Sequence, residues 1–233
     1  MPTAKTAPTD DNELFAILKN QLFTAVVGDI LDQMGFKRQF LPPGINPLIP
    51  TMKIAGRAMP VLEADVFEEA GEGLGPLAKK QFGLLFEALD QLRPGEIYVA
   101  HTPIPRYALW GGLMSTRAKH LQAAGAVIDG FARDASEIEA LEFPLFCRGL
   151  YAQDQGPRGK VIDYRCTVEI GGVRVQTGDL VFGDREGVLV IPRAAETEAI
   201  QRALEKATTE NQVAEAIRRG MPTVEAFNKF GVM

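Results

Sequence analysis

The stretch WGGLMSTRAKHLQAAGAVIDGFARD, residues 110–134, decides the fold of this chain. Its residues 112–124 carry apolar side chains at helical spacing, and Gly125 ends the predicted helix. The apolar run Ala126–Ile128 has the length of a short buried strand and stops at Asp129-Gly130. A helix that leads directly into a buried strand is typical of a β-α-β unit, so we predict a parallel sheet.

The neighbouring segments extend this pattern in both directions. Glu96–Ala100 predicts the preceding strand, while Ser136–Leu141 and Phe143–Cys147 predict a further helical turn and a further strand. Strands and helices alternating at this spacing imply right-handed crossovers within a parallel sheet. Ligand sites in such sheets lie beyond the carboxyl ends of the strands. Those ends lead here into the 101–112 and 129–135 loops.

The first third of the chain predicts two helices, a connection and a strand. Apolar residues recur at helical spacing from Glu13 onward, and a second helix is predicted over Ala25–Met34. The proline-rich residues 36–53 predict a surface connection, and Gly56–Glu63 predicts a strand. Residues 76–92 have one apolar face, which predicts an amphipathic helix.

The last third predicts a small antiparallel region followed by a long helix. Lys160–Ile170 and Val173–Gln176 flank Gly171-Gly172, and this order predicts a hairpin with a two-glycine turn. The elements predicted after it are strands at Leu180–Gly183 and Gly187–Ile191 and a helix from Ala194 to Arg219. No linker divides the chain. We therefore predict a disordered or extended tail at residues 1–11 and a single α/β domain over residues 12–233, with flanking N- and C-terminal helices.

Composition excludes several classes of protein. The 233 residues include 25 Lys+Arg and 30 Asp+Glu, a net charge of −5, without the basic cluster that duplex nucleic acid requires. The apolar runs are far shorter than the roughly 20 residues of a membrane span, and the first residues lack the apolar core of a signal peptide. Cys147 and Cys166 lie outside any CxxC spacing, which favours reduced thiols. We expect a cytoplasmic protein that binds neither nucleic acid nor membrane.

Several common catalytic motifs are missing from the sequence. It contains no GxGxxG, phosphate-binding loop, GxSxG or HExxH pattern. The two histidines, His101 and His120, are far apart in the sequence, which disfavours a histidine-rich metal site. A lysine Schiff base needs a desolvated amine, whereas Lys119 and Lys160 lie in polar sequence contexts.

Arg133 and Asp134 are the strongest candidate site residues. They follow the predicted strand directly, so they enter the crevice that the 101–112 loop also borders. One interpretation is structural: the pair caps the next helix, with Asp134 accepting from free amides. The other is functional, because the free N–H groups at the start of the 112–124 helix form an anion site opposite them. A cation, an acid that can hold a metal and a carboxylate-binding helix start together suit a small 2-oxo acid.

The same 110–134 stretch resembles the signature of the RraA-like family. The likeness extends over residues 24–192, with TAVVGDILDQMG near its start and GDLVFGDREGVLVIP near its end. The family includes divalent-metal pyruvate aldolases acting on 4-hydroxy-4-methyl-2-oxoglutarate, which also decarboxylate oxaloacetate. It also includes the regulator of ribonuclease activity A, a binding protein without catalytic activity. The resemblance implies a β/β/α swivelling fold.

The resemblance also implies roles for individual residues. Arg133 matches the arginine that contacts the substrate's 2-oxo oxygen, and Asp134 matches the carboxylate that holds magnesium or manganese, partly through water. The family takes a glutamate from the neighbouring subunit's C-terminal helix, which implies a homotrimer or a dimer of trimers; Glu210 is the candidate, with Glu205 as the alternative. The turn whose backbone amides receive the substrate carboxylate corresponds to Gly111, Gly112, Leu113 and Met114.

One position departs from the family pattern. Family members usually carry Asp or Glu where this chain has Gly112, and that acid helps to order the metal's water and the proton transfer. Since retro-aldol cleavage needs a base and decarboxylation does not, its absence predicts comparatively stronger decarboxylation.

The sequence therefore predicts a divalent-metal-dependent lyase of small 2-oxo acids, an aldolase or oxaloacetate decarboxylase that forms a pyruvate enolate. A hard dication and an arginine near the 2-oxo oxygen would stabilise that charge. The alternative is a non-catalytic regulatory binding protein of the ribonuclease-regulator type. Release of pyruvate from oxaloacetate with manganese distinguishes the two.

Overall fold

The computed structural model describes residues 10–67, 73–104 and 106–232. Its strands are β1 (Asn46–Pro47), β2 (Ile54–Asp65), β3 (Glu96–His101), β4 (Ala108–Trp110), β5 (Gly125–Ala132), β6 (Leu145–Leu150), β7 (Gly159–Tyr164), β8 (Val168–Ile170), β9 (Val173–Val175), β10 (Leu180–Asp184) and β11 (Gly187–Ile191). Its helices are α1 (Asp11–Gln21), α2 (Thr24–Gln33), α3 (Leu85–Asp90), α4 (Gly112–His120), α5 (Ala135–Ala140), α6 (Glu196–Arg218) and α7 (Thr223–Phe230).

A mixed nine-stranded sheet forms the centre of the described residues. Its strands follow the order β1-β6-β5-β3-β2-β10-β11, with β4 paired to β5 and β7 paired to β2. The pairs β6–β5, β5–β3 and β3–β2 are parallel, which confirms the predicted parallel sheet at the centre of this order, while β1 and β10 pair antiparallel with its two ends. The register aligns Leu62 with His101 and His101 with Asp129. The carboxyl ends of these strands therefore open at one edge of the sheet, where β4 and α4 also begin.

The 36–53 segment is more than the predicted surface connection. Its backbone pairs with β11 through Leu41 N–H to Val188 O (2.9 Å) and Val190 N–H to Gln39 O (2.8 Å). Further along, β1 pairs with β6 at the opposite end of the strand order. Leu41 and Ile45 are buried. The segment thus joins the two edges of the sheet and closes it almost into a barrel, which removes exposed strand edges.

Strand alternation places apolar side chains in three clusters. One lies inside the near-barrel and includes Ile54, Val99 and Phe146. The second packs the outer face of β3 and β5 under α3, α4 and α5, and the third packs α1, α2 and α6 against β10 and β11. The predicted flanking helices are therefore confirmed: α1, α2 and α6 form one layer against β10 and β11. Helix α4 packs in a different cluster, on β3 and β5.

Three predicted elements differ from the structure. The 76–92 helix shortens to α3 because Gly83, in a left-handed conformation (φ +63°), lies against β7, where a β-carbon would overlap Val161 O. The 101–112 loop contains β4. The long first arm of the predicted hairpin divides into β7, which pairs with β2, and β8, which alone pairs with β9 across Gly171-Gly172.

The first described residues lead directly into helix α1. Most of the predicted 1–11 tail, residues 1–9, lies outside the described residues; α1 begins at Asp11, and Asp10 caps it by accepting from Glu13 N–H at 2.9 Å. No single helix among the described residues is long and apolar enough to cross a membrane. Helices α1 and α2 pass such a test only as a pair, and that pair is bent by 109°.

Candidate active site

The candidate site lies where the end of β5 meets the turn between β4 and α4. Arg133 N–H donates to Trp110 O at 3.0 Å, which fixes the two segments side by side. A β-carbon at Gly111 would lie 2.8 Å from Asp134 Oδ2 and 3.5 Å from Arg133 Cγ. A β-carbon here would therefore displace the Asp134 carboxylate from its position beside the turn.

The Asp134 side chain caps α4 and not α5, the following helix that a purely structural role would have it cap. It is the residue before α5 and has a left-handed backbone (φ 58°), but its side chain makes no capping hydrogen bond to α5. Instead, Gly112 N–H at the start of α4 donates to Asp134 Oδ2 at 3.0 Å. A non-glycine residue in this conformation costs of order 1 kcal/mol or more and is a feature of functional sites. The carboxylate is thus directed across the crevice rather than along its own helix.

Arg133 points into the same crevice. Its Nη1 lies 2.9 Å from Asp154 Oδ1, and its Nε lies 3.7 Å from Asp134 Oδ2. All three side chains are about 40% exposed: 40% for Arg133, 41% for Asp134 and 39% for Asp154. Two carboxylates hold the guanidinium in place, and it remains accessible to a ligand.

Asp154 was not predicted from the sequence. It lies in the loop between β6 and β7 and accepts from Gly156 N–H at 3.0 Å, as an aspartate in a turn does. Its local signal, Asp-Gln-Gly-Pro, indicates a turn and gives no indication of a distant arginine. Tertiary contact alone brings it to Arg133.

Glu137 also lies at the site and was likewise missed. It is on the first turn of α5, and a β-carbon at Gly112 would overlap its Oε2. The Asp134 Cβ would be 3.2 Å from the same β-carbon. The space that a side chain at 112 would take is therefore filled by the carboxylate of Glu137.

The first turn of α4 carries the predicted substrate-binding backbone. Gly112 N–H is used by Asp134, whereas the amides of Leu113 and Met114 belong to the helical turn that has no partners within its own helix. The Leu113 side chain is 84% exposed, so it does not cover this turn. The predicted anion site at Gly111, Gly112, Leu113 and Met114 remains a prediction.

Trp110 supports the turn from below. Its ring is buried, stacks on Phe143 at 5.8 Å between centroids and lies 5.1 Å from Tyr98. Its Nε1–H donates to Ser115 Oγ at 2.7 Å, and Ser115 N–H donates to Gly111 O at 3.0 Å. Trp110 therefore has a packing role that holds the start of α4 rigidly.

The site offers one carboxylate, that of Asp134, to a hard divalent cation. Asp134 is half-exposed, and one of its oxygens, Oδ2, is engaged by Gly112. No group of three or more His, Cys, Asp or Glu side chains in the described part of the chain is arranged to hold a metal. A single carboxylate fits magnesium or manganese that keeps most of its water, and it does not fit a dehydrated cage.

Glu210 lies away from these residues within the protomer. It is on α6, 3.5 Å from Lys206 Nζ, and α6 packs with α1 and α2 rather than with α4. Glu205 is on the same helix and accepts from Gln201 Nε2 at 3.3 Å. Neither glutamate joins Arg133 within one chain, so their contribution from a neighbouring subunit remains a prediction.

A buried polar cluster lies at the same sheet edge and was not predicted. Glu63 Oε2 accepts from Gln155 Nε2 at 2.9 Å, while its Oε1 and the Tyr98 hydroxyl have no partner among the described residues. Burial raises the pKa of Glu63 to about 8, and the charge of Asp65 adds to this shift. Gln155 follows Asp154, so this carboxyl lies beneath the loop that holds Arg133.

Lys160 is buried, but its surroundings are polar, as its sequence context indicated. Its Nζ donates to Leu77 O and Ala78 O, each at 2.9 Å. Its amine is therefore engaged by backbone carbonyls, which gives it a structural role instead of the role of a Schiff-base nucleophile.

Comparisons with known proteins agree with this architecture. A family model described as Aldolase/RraA matches residues 24–190. The chain is 30% identical over 206 residues to a protein of Halalkalibacterium halodurans named "Putative 4-hydroxy-4-methyl-2-oxoglutarate aldolase", covering 88% of this chain and 89% of that protein. It is similar in structure to an uncharacterized protein from Pseudomonas syringae, with a TM-score of 0.82 and 26% identity over 99% of this chain and 100% of that chain.

A second solved structure supports the fold alone. RraAS2 from Streptomyces coelicolor, described as an unusual member of the RNase ES inhibitor RraA protein family, has a TM-score of 0.71 and 23% identity, covering 93% of this chain and 100% of that chain. The predicted swivelling α/β fold is confirmed by these neighbours and by the near-barrel sheet with its flanking helices. On the match of the family model and the coverage of its relatives, the chain belongs to the RraA-like family.

Proposed function

We propose that the protein is a divalent-metal-dependent lyase of small 2-oxo acids that cleaves a 4-hydroxy-2-oxo acid, decarboxylates oxaloacetate, or does both. The observation that carries the proposal is the position of the Arg133 guanidinium and the Asp134 carboxylate against the start of α4. A relative named as an aldolase, similar over most of both chains, supports the reaction class.

Arg133 stabilises the charge that forms in the reaction. Both reactions leave the electron pair of the broken carbon–carbon bond on a pyruvate enolate, whose oxygen carries the negative charge. A guanidinium held by Asp154 and Asp134 is already oriented before that charge develops, so no reorganisation is needed. The amides of Leu113 and Met114 bind the carboxylate of the substrate at the start of α4.

Asp134 would hold the metal ion, with water as the other ligands. When bound, magnesium or manganese supplies Lewis-acid polarisation of the 2-oxo group. Asp134 is itself oriented by Gly112 N–H, which leaves its second oxygen for this role.

Replacing Asp134 should abolish the metal-dependent activity. Asp134→Asn keeps an oxygen that can accept from Gly112 and removes the charge, so we expect the fold to persist and Mn²⁺ to bind much more weakly. Activity of the wild-type protein should be lost in a chelator and restored by Mn²⁺, whereas the variant should not recover over the same range. Binding of Mn²⁺ followed by electron paramagnetic resonance measures the ion directly. Asp90→Asn, on an exposed aspartate paired with Arg117, is the matched control.

The test of the function itself is a panel of 2-oxo acids. Wild-type protein with Mg²⁺ or Mn²⁺ should release pyruvate from oxaloacetate and from 4-hydroxy-2-oxo acids, including 4-hydroxy-4-methyl-2-oxoglutarate. Absence of pyruvate from every member of the panel, with the metal shown to be bound, would contradict the proposal and favour the non-catalytic regulatory alternative.

We also propose that Glu210 completes the site of a neighbouring subunit in a homotrimer or a dimer of trimers. Helix α7 supports an interface near it, since Val224 is 72% and Phe227 is 54% exposed. Light scattering at micromolar concentration should give three or six chains, and Phe227→Asp should reduce that number and the activity together. A wild-type monomer with full activity would remove both the assembly and the role of Glu210.

A further inference from the structure

Glu137 is a carboxylate at the site with no partner in the described part of the chain. Its side chain is exposed on α5 and forms no hydrogen bond or ion pair with any described residue. Its Oε2 occupies the volume beside Gly112 where a β-carbon would overlap it. The carboxylate therefore faces the positive end of α4, a nine-residue helix, beside Asp134.

The other carboxylates of the site already have roles in the folded chain. The Asp154 carboxylate forms an ion pair with the Arg133 guanidinium at 2.9 Å, and Asp134 accepts from Gly112 N–H at 3.0 Å. Among the described residues that border Gly112, Glu137 is the carboxylate that has no such partner.

We propose that Glu137 is the proton-transfer residue of the lyase, an inference that rests on the proposed function. Its carboxylate takes the proton of the substrate's 4-hydroxyl group as that oxygen becomes a carbonyl. The C3–C4 bond breaks, its electron pair passes to the enolate, and the enolate oxygen faces Arg133. The carboxylic acid then returns the proton to C3 and gives pyruvate. Substrate atoms and protons balance, and Glu137 is regenerated as a carboxylate.

Gly112 and Glu137 depend on each other in this arrangement. Any side chain at 112 would displace the Glu137 carboxylate, and glycine leaves the space for it. The absence of an acid at 112 therefore does not leave the crevice without one. Cleavage then has a base in spite of the glycine, whereas Gly112 alone predicts comparatively stronger decarboxylation.

The two reactions of the proposed function separate the role of Glu137 from a structural one. Retro-aldol cleavage needs the hydroxyl proton removed, and a positioned general base contributes about 10²–10⁴-fold. Decarboxylation of oxaloacetate produces the enolate by loss of carbon dioxide and needs no base to begin. Glu137→Gln should lower retro-aldol turnover by about that factor and decarboxylation much less.

Matched variants identify the carboxylate. Glu139→Gln makes the same change on the same helix at another exposed glutamate and should leave both reactions unchanged. Gly112→Ala should move the Glu137 carboxylate aside, and because its β-carbon would also lie 3.2 Å from Asp134 Cβ, Mn²⁺ binding and thermal unfolding are measured beside cleavage. Gly112→Ala should lower retro-aldol turnover, and the double variant with Glu137→Gln should cleave no more slowly than Glu137→Gln alone. The exchange Gly112→Glu with Glu137→Ala returns an acid to the crevice and should recover part of the cleavage.

The outcomes distinguish this inference from the proposed function. If Glu137→Gln keeps retro-aldol turnover within about twofold of the wild-type value, the role of Glu137 is overturned and the lyase proposal stands. An equal loss of cleavage and decarboxylation in Glu137→Gln also overturns it, since that pattern indicates a structural effect. A wild-type protein that releases no pyruvate overturns both proposals together.

Discussion

Replacing Arg133 with alanine should lower pyruvate release about 10²–10³-fold and leave the fold intact. A preorganised donor directed at a developing oxyanion typically contributes a factor of this size. The side chain is 40% exposed, and its ion pairs with Asp154 and Asp134 are near the surface, where such pairs contribute about 0–1 kcal/mol to stability. Steady-state pyruvate release and thermal unfolding of the same preparation measure the two effects.

Two further arginine variants make this result specific. Arg117→Ala removes a guanidinium of similar exposure from α4, where it pairs with Asp90 at 2.8 Å, and should change neither property. Arg133→Lys keeps the charge but loses the planar donor set. It should remain strongly impaired, and near-full turnover in this variant would show that only a positive charge is needed at 133.

The part of the site that could be predicted is local in sequence. Strand β5 leads directly into Arg133 and Asp134. The apolar pattern of residues 112–128 predicts both helix α4 and strand β5, which border the crevice. Parallel pairing then fixes which edge of the sheet holds the ends of the strands. For this reason the fold class and the Arg-Asp pair followed from the sequence.

The part that could not be predicted depends on tertiary contact. Asp154 reaches Arg133 from the loop after β6, and Glu137 reaches Gly112 because two helix starts face each other. The 36–53 segment closes the sheet through backbone hydrogen bonds. Its proline-rich sequence gives no indication of these bonds. In each case the partner lies at least twenty residues away, beyond the reach of helical or strand periodicity.

Glu63 is different, because its signal was present in the sequence. It lies on β2 at the same parity as Met59 and Val61, both of which are buried. Residues two apart on a strand share a face, so a glutamate at this position is directed into an apolar layer. A buried ionised carboxylate costs several kcal/mol unless it is paired, and such groups stay protonated instead.

The free energy of unfolding should therefore fall as the pH rises from about 5 to 8. Glu63 has an ordinary pKa of 4.5 in the unfolded chain, and burial raises it to about 8 in the folded protein. Between these values the unfolded chain releases the proton while the folded protein keeps it, so rising pH favours unfolding. The slope contributed by this one group is at most about 1.4 kcal/mol per pH unit, and the contribution becomes constant above its folded pKa.

Glu63→Gln should remove this slope and stabilise the protein increasingly toward pH 8. The amide is neutral at every pH, and its oxygen can still accept from Gln155, so the packing of the cluster is kept. Denaturant unfolding at pH 5, 6, 7 and 8 should show the two proteins closest in stability at pH 5 and furthest apart at pH 8. Glu169→Gln, on an exposed glutamate of β8, should follow the wild-type slope. If Glu63→Gln follows the wild-type slope as well, Glu63 is ionised in the folded protein and the prediction is wrong.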